Sequence, residues 1–226
     1  MILKKVVVVG TFRDSMYAKA IAEEFERQFY ETYMFNWDLY GSKVHKVARF
    51  LTRIQNRLIL GPFVSRINKA LLRLVHDVRP DLVFIYRGTH IRKQTIHSIR
   101  GLPSVVISYH NDDPFAGVPS KSYMRNYLSS ARLMNWNYVY REKNIVDFIN
   151  IGISNVSVLK SYYIDSQNYP IKGIRKTHDV VFAGHFENDG RDEYILALLK
   201  AGIKVRVYGD EMWQKAPLYE DIKSVL

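Results

Sequence analysis

Along this chain, short unbroken apolar runs alternate with stretches whose apolar positions recur every three or four residues. The first run, Val6-Val7-Val8-Val9, is β-branched and lacks polar alternation, as expected of a parallel strand covered on both faces. Ser15 offers a cap for a helix to about Tyr30, with Ala18, Ile21, Ala22, Phe25 and Phe29 on one face. Residues 31–37 predict a second strand. Helices are expected over 44–60 and 63–78, separated by the Gly61-Pro62 break. After the Arg79-Pro80-Asp81 turn, Leu82–Tyr86 reads as a buried strand. A helix over 91–100, a strand over 104–108, a polar loop over 109–117, a helix near 120–130, a strand over 133–140, a helix over 142–150 and a short strand over 155–159 follow.

Residues 160–177 are polar and aromatic, contain Pro170 and Gly173, and predict a linker. Beyond them the opening unit recurs. Val180-Val181-Phe182-Ala183-Gly184 repeats the strand–glycine order of Val6 to Gly10, and a helix opens near Arg191. This alternation predicts an α/β fold. A Rossmann-like N-terminal domain with a parallel sheet spans 1–159, and the opening β-α-β of a second such domain spans 178–226. The second domain is expected to be incomplete, since about 49 residues follow its start.

Composition narrows the chemistry. The 226 residues contain no cysteine, which excludes disulfides, thiolate metal sites and a cysteine nucleophile. No apolar run is long enough for a secretory leader or a bilayer span, so the expected location is cytoplasmic. The formal charge is +11 and unevenly placed: residues 41–80 hold nine Lys/Arg and a single acid, Asp77. Within 44–60, Lys46, Arg49, Arg53 and Arg57 make a basic stripe beside an apolar one, a pattern suited to an anionic membrane surface or to a solvated helix face. The whole basic segment 43–79 is therefore a candidate for peripheral membrane contact. No nucleic-acid motif accompanies the charge, and no nucleic-acid partner is expected.

Candidate chemistry gathers at three places. The loop 109–117 follows a parallel strand and so lies at the sheet's carboxyl edge, where open α/β domains bind ligands. It carries His110, Asp112 and Asp113, any of which could take a proton from a hydroxyl nucleophile or simply cap a turn. Gly10-Thr11 and Gly184 precede helices whose free amides attract phosphate, and Arg191 could pair with it. Neither turn is a dinucleotide or Walker motif, and no metal site has recognisable spacing.

Arg79-Pro80-Asp81-Leu82-Val83-Phe84, Tyr109-His110-Asn111-Asp112-Asp113-Pro114, Asn137-Tyr138-Val139-Tyr140 with Glu142-Lys143, and His178-Asp179-Val180-Val181-Phe182-Ala183-Gly184 occur in that order. With Arg191 and Val207-Tyr208-Gly209 they resemble the CgeB-like (spore maturation) glycosyltransferases of GT-B fold. The resemblance implies an acceptor-side first domain and a nucleotide-sugar-binding second domain. It also implies transfer without a bound metal or separate cofactor, the nucleotide-sugar itself being the donor substrate. Gly10, Thr11, Gly184 and Arg191 would face the donor phosphates, and His110 with Asp112 or Asp113 the acceptor, a glycan or lipid-linked species. Such enzymes usually continue to a carboxylate-bearing segment that grips donor sugar and ribose. The chain is therefore expected to have little transfer activity alone. A non-catalytic sugar- or nucleotide-binding module that partners a separate catalytic chain, and a basic α/β nucleic-acid-binding protein, are the alternatives.

Overall fold

The computed structural model describes residues 4–40, 54–55, 58–117 and 123–226. The chain divides into two compact units, Met1–Asn168 and Tyr169–Leu226.

In the first unit a six-stranded sheet has the order β2-β1-β3-β4-β5-β6, every pair parallel. The strands are β1 (Lys5–Gly10), β2 (Glu31–Asn36), β3 (Leu82–Tyr86), β4 (Val105–His110), β5 (Trp136–Val139) and β6 (Val156–Val158). The helices α1 (Ala20–Arg27), α2 (Pro62–Val78), α3 (Lys93–Arg100), α4 (Arg125–Ala131) and α5 (Lys143–Asn150) connect them. The strand order reverses between β1 and β3, which makes the carboxyl ends of those strands the expected ligand edge of such a sheet.

The unbroken valine run of β1 is explained by cover on both sides. Val7 and Val9 join Ile67 and Leu71 of α2 and Ile96 and Ile99 of α3 in one core. Val6 and Val8 join Ala18, Ala22 and Phe84 in another. Each fully buried side chain of this size contributes about 1.5–3 kcal/mol. A third cluster, with Tyr127, Ala131 and Phe148, packs α4 and α5 against Val139 and Val156.

Local departures from the sequence pattern have local causes. The first helix is not continuous from Ser15: a wide turn, Ser15–Lys19, kinks at Tyr17 (φ −111°, ψ −119°) before α1. Its cap is Asp14, whose carboxylate accepts from the Met16 amide. The strand expected over 133–140 shortens to β5 because the Leu133 and Met134 amides donate back to Ser130 and Ala131 and extend the turn after α4. Conversely β4 runs on to His110, because Tyr109 and His110 pair with Tyr138 and Val139. The loop therefore begins at Asn111. Lys46, Arg49, Arg53 and Arg57 lie outside the described residues. On α2, Arg66, Lys69 and Arg73 of the basic segment are exposed.

Part of the expected linker belongs to the first unit. The Tyr162 hydroxyl donates to the Met16 carbonyl at 2.5 Å, and Asp165 lies 3.7 Å from the Arg27 guanidinium. In the second unit β7 (Val180–Ala183) and β8 (Val205–Tyr208) pair in parallel across α6 (Arg191–Lys200), followed by α7 (Tyr219–Ile222). Ile195, Val205, Val207, Trp213 and Ile222 form its core. Trp213 Nε1 donates to the Gly184 carbonyl at 2.8 Å, and a Cβ on Gly209 would sit 2.3 Å from that nitrogen, so the position admits only glycine. Among the described residues no helix is long and apolar enough to cross a membrane.

Candidate functional site

The carboxyl edge of the first unit's sheet gathers most of its polar chemistry. At the end of β1, a Cβ on Gly10 would lie 2.6 Å from that of Ala18, so the glycine permits the following turn to pack directly on the strand end. Thr11 Oγ1 donates to the Asp38 carboxylate at 2.5 Å, and Arg13 approaches the same oxygen at 3.1 Å. Asp38 and the capping Asp14 thus set two carboxylates beside the Gly10-Thr11 turn.

At the end of β3 stands Arg87, a residue with no obvious signature in the sequence. Its backbone is left-handed (φ +55°), a conformation that costs a bulky residue about 1–3 kcal/mol and is tolerated mainly where the surroundings impose it. The imposition is visible: the Arg87 amide donates to the Tyr109 carbonyl at 2.8 Å, and its guanidinium pairs with the Asp112 carboxylate. Next to it, Gly88 has no room for a side chain, since a Cβ would meet Ile85 Cγ2 at 2.9 Å. The one usable signal was positional, an arginine immediately after a strand at the switch point.

The three loop candidates occupy three different environments. His110 is fully buried, its ring centroid 4.7 Å from that of Tyr127. The Asp112 amide donates to its Nδ1 at 3.3 Å. Burial first, and then the Arg87 charge, push the imidazole down to about 3 against a weaker upward pull from Asp113, so it is neutral at pH 7. Asp113 is almost as enclosed. It accepts from the Phe115 amide at 2.9 Å and from Asn144 Nδ2 at 2.8 Å, with Lys143 at 3.5 Å. Partial burial raises its carboxyl, but those donors and the ammonium together hold it below the ordinary value. Asp112 alone presents its side chain substantially to solvent, 46% exposed beside Arg87 at 34%.

Asn144, at the start of α5, also donates to Asp147 at 3.2 Å. Among the described residues, His110 Nε2, Asn111 Oδ1, Asn144 Oδ1 and Tyr86 Oη are buried without a hydrogen-bond partner. Such atoms each cost about 1–3 kcal/mol, and three of the four belong to the segment that carries Asp112 and Asp113 and to the helix pinned against it. No group of three or more metal-binding side chains occurs among the described residues.

In the second unit, Arg191 opens α6 but is already engaged. It donates to Asp189 at 2.5 and 2.7 Å, to Glu187 at 3.2 Å and to the His185 carbonyl at 2.5 Å, clipping the 185–190 loop to the helix. Hydrogen bonding to Asp189, above all, raises its already high proton affinity. Gly184 ends β7, its amide donating to the Tyr208 carbonyl at 2.9 Å. Thus Gly10, Thr11, His110, Asp112 and Asp113 share one unit, and Gly184 and Arg191 the other.

No family model and no curated protein matches the sequence. Solved structures are similar in fold. They include UDP-GlcNAc 2-epimerase from Methanocaldococcus jannaschii (TM-score 0.55, 11% identity, covering 97% of this chain and 68% of that one). Another is UGT73P12 from Glycyrrhiza uralensis complexed with glycyrrhetinic acid 3-O-monoglucuronide (0.54, 10%, 99% and 66%). A third is the S. aureus MnaA–UDP co-structure (0.53, 12%, 99% and 66%). The chain spans about two-thirds of the length of these proteins. Its fold is α/β and GT-B-like, with Rossmann-like units.

Proposed function

We propose that the protein handles a nucleotide-sugar and takes part in glycosyl transfer to a glycan or lipid-linked acceptor. The observation that carries the reading is the Arg87–Asp112 pair, solvent-facing and set on a strained backbone at the carboxyl edge of a fold whose similar structures include UDP-bound ones. In this reading Asp112 is the group that takes the acceptor's proton once Arg87 is drawn away. His110 is a positioning residue that holds the Asp112 backbone, and Asp113 anchors the loop to α5. Gly10 and Thr11 in the first unit, and Gly184 and Arg191 in the second, are the proposed donor-phosphate contacts. A diphosphate would compete with Asp189 and Glu187 for the Arg191 guanidinium. CgeB-like specificity belongs to this proposal, as does peripheral contact with an anionic cytoplasmic-face membrane through Arg66, Lys69 and Arg73.

A second reading is 2-epimerisation of a UDP-sugar, favoured by the recurrence of such enzymes among the similar structures. One experiment tests both. The full chain is titrated calorimetrically with UDP, UDP-glucose and UDP-GlcNAc, and the mixtures are followed by NMR with and without neutral glycan acceptors. The expected result is UDP-sugar binding that weakens at least tenfold in R191A. UDP release that needs acceptor and is lost in D112N marks transfer. Inversion at the sugar C2 without acceptor marks epimerisation. No binding of any UDP compound at millimolar concentration would overturn both.

A further inference from the structure

Away from the carboxyl-edge residues, a groove of about 930 Å³ runs along α1 beneath the segment 162–166. Both sides belong to the first unit. The segment is tied down at one end by the Tyr162 hydroxyl on the Met16 carbonyl and at the other by Asp165 near Arg27. The volume is that of a small-ligand site. Its walls combine two chemistries. Phe25, Tyr30, Tyr162 and Tyr163 provide aromatic faces, with Phe25 and Tyr30 fixed edge-to-face at 5.5 Å and Tyr163 72% exposed. Three carboxylates, Glu23, Glu24 and Asp165, line it against one cation, Arg27, in a chain whose net charge is +11.

We infer that this groove is a second binding site, for a neutral oligosaccharide. Carboxylates accept hydrogen bonds from sugar hydroxyls, and aromatic rings take the apolar C–H face of a pyranose. The same carboxylates repel phosphate and sulfate at this distance, so the groove discriminates against nucleotides and anionic lipids. Arg27 is itself paired with Glu24 and faces Asp165, and Lys19 beside the groove is paired with Glu23 at 3.6 Å, so each nearby cation already faces a carboxylate. The Tyr163 ring is exposed on the groove wall, and a stacked sugar would cover it. The inference stands independently of the nucleotide-sugar reading, because no residue of the groove is used there.

The test is saturation-transfer NMR on the full chain with maltotriose and chitotriose, and with a heparin-derived tetrasaccharide as the anionic comparison. Saturation is expected to reach the C–H protons of at least one neutral trisaccharide through Tyr163, whereas any signal of the heparin fragment, held by the basic face of α2, should be the same in Y163A. Y163A should weaken binding about tenfold, Y163F should retain it, and E23Q should weaken it a few-fold. UDP affinity, measured on the same samples, should be unchanged in Y163A. The inference falls if neither neutral trisaccharide binds, if Y163A binds the trisaccharides as the wild type does, if heparin binding is lost in Y163A, or if a lysine-rich peptide displaces the sugar with higher affinity. UDP binding without sugar binding would sink the groove and leave the proposed function standing; the reverse would do the opposite.

Discussion

Gly10 and Gly184 end strands in two copies of one motif, yet they do different work. Gly10 closes a strand buried on both faces, and any side chain there collides with Ala18. Gly184 closes a strand whose residues alternate between half-buried and exposed, and a Cβ there meets only the Phe182 ring at 3.3 Å. Its backbone stands at φ +159°, which favours glycine, and its carbonyl carries Trp213. The turns also differ in charge. Carboxylates flank Gly10-Thr11, whereas an arginine follows Gly184, itself neutralised by Asp189 and Glu187. A shared sequence pattern therefore specifies a strand end. It leaves open whether that end serves packing, a hydrogen bond or a ligand.

The comparison can be broken first by acid. The first unit buries two histidines in their neutral form: His90, pushed down to about 4, and His110, to about 3, both chiefly by burial. Unfolded histidine takes its proton near 6.5, so between that value and the folded one the unfolded chain binds more protons. Stability is full above about pH 6.5 and falls as the pH drops towards 4. Each histidine should cost about 2 kcal/mol between pH 6.5 and 5. Urea unfolding followed by hydrogen exchange at pH 7 and pH 5 should show the first unit losing stability preferentially. H90Q should remove about half of that loss.

A smaller effect separates the glycines. G10V should destabilise the first unit by about 1–3 kcal/mol through overpacking on Ala18. G184A should cost the second unit about 1–3 kcal/mol for a different reason, the backbone φ of +159° that favours glycine, since its Cβ meets only the Phe182 ring. An unchanged denaturation midpoint in G10V would contradict the packing argument. Next, W213F should cost the second unit about 1 kcal/mol for the hydrogen bond to Gly184. Exchange protection at Gly184 and Val207 reports it. Smallest, R191A should change stability by no more than about 1 kcal/mol, because its partners are exposed carboxylates. A larger loss would mean that the clip holds α6 in place.

The strand–helix alternation and the parallel character of the first sheet were legible in the sequence, because continuous β-branched runs such as Val6 to Val9 suit only strands covered on both faces. The candidate loop was legible as a place but not as chemistry. His110, Asp112 and Asp113 lie within four positions, yet one is sealed against Tyr127, one faces solvent and one is pinned to Asn144. Arg87 was legible only as an arginine after a strand: its importance lies in a left-handed backbone and a partner 25 residues away. Nor was the groove beside α1, since Phe25 and Tyr163 are brought together only when the segment after β6 returns across that helix. Periodicity and residue type determine local conformation and which face is apolar, because those follow from neighbours along the chain. Burial, pairing and proton affinity follow from neighbours in space, and for this protein only the tertiary structure decided them.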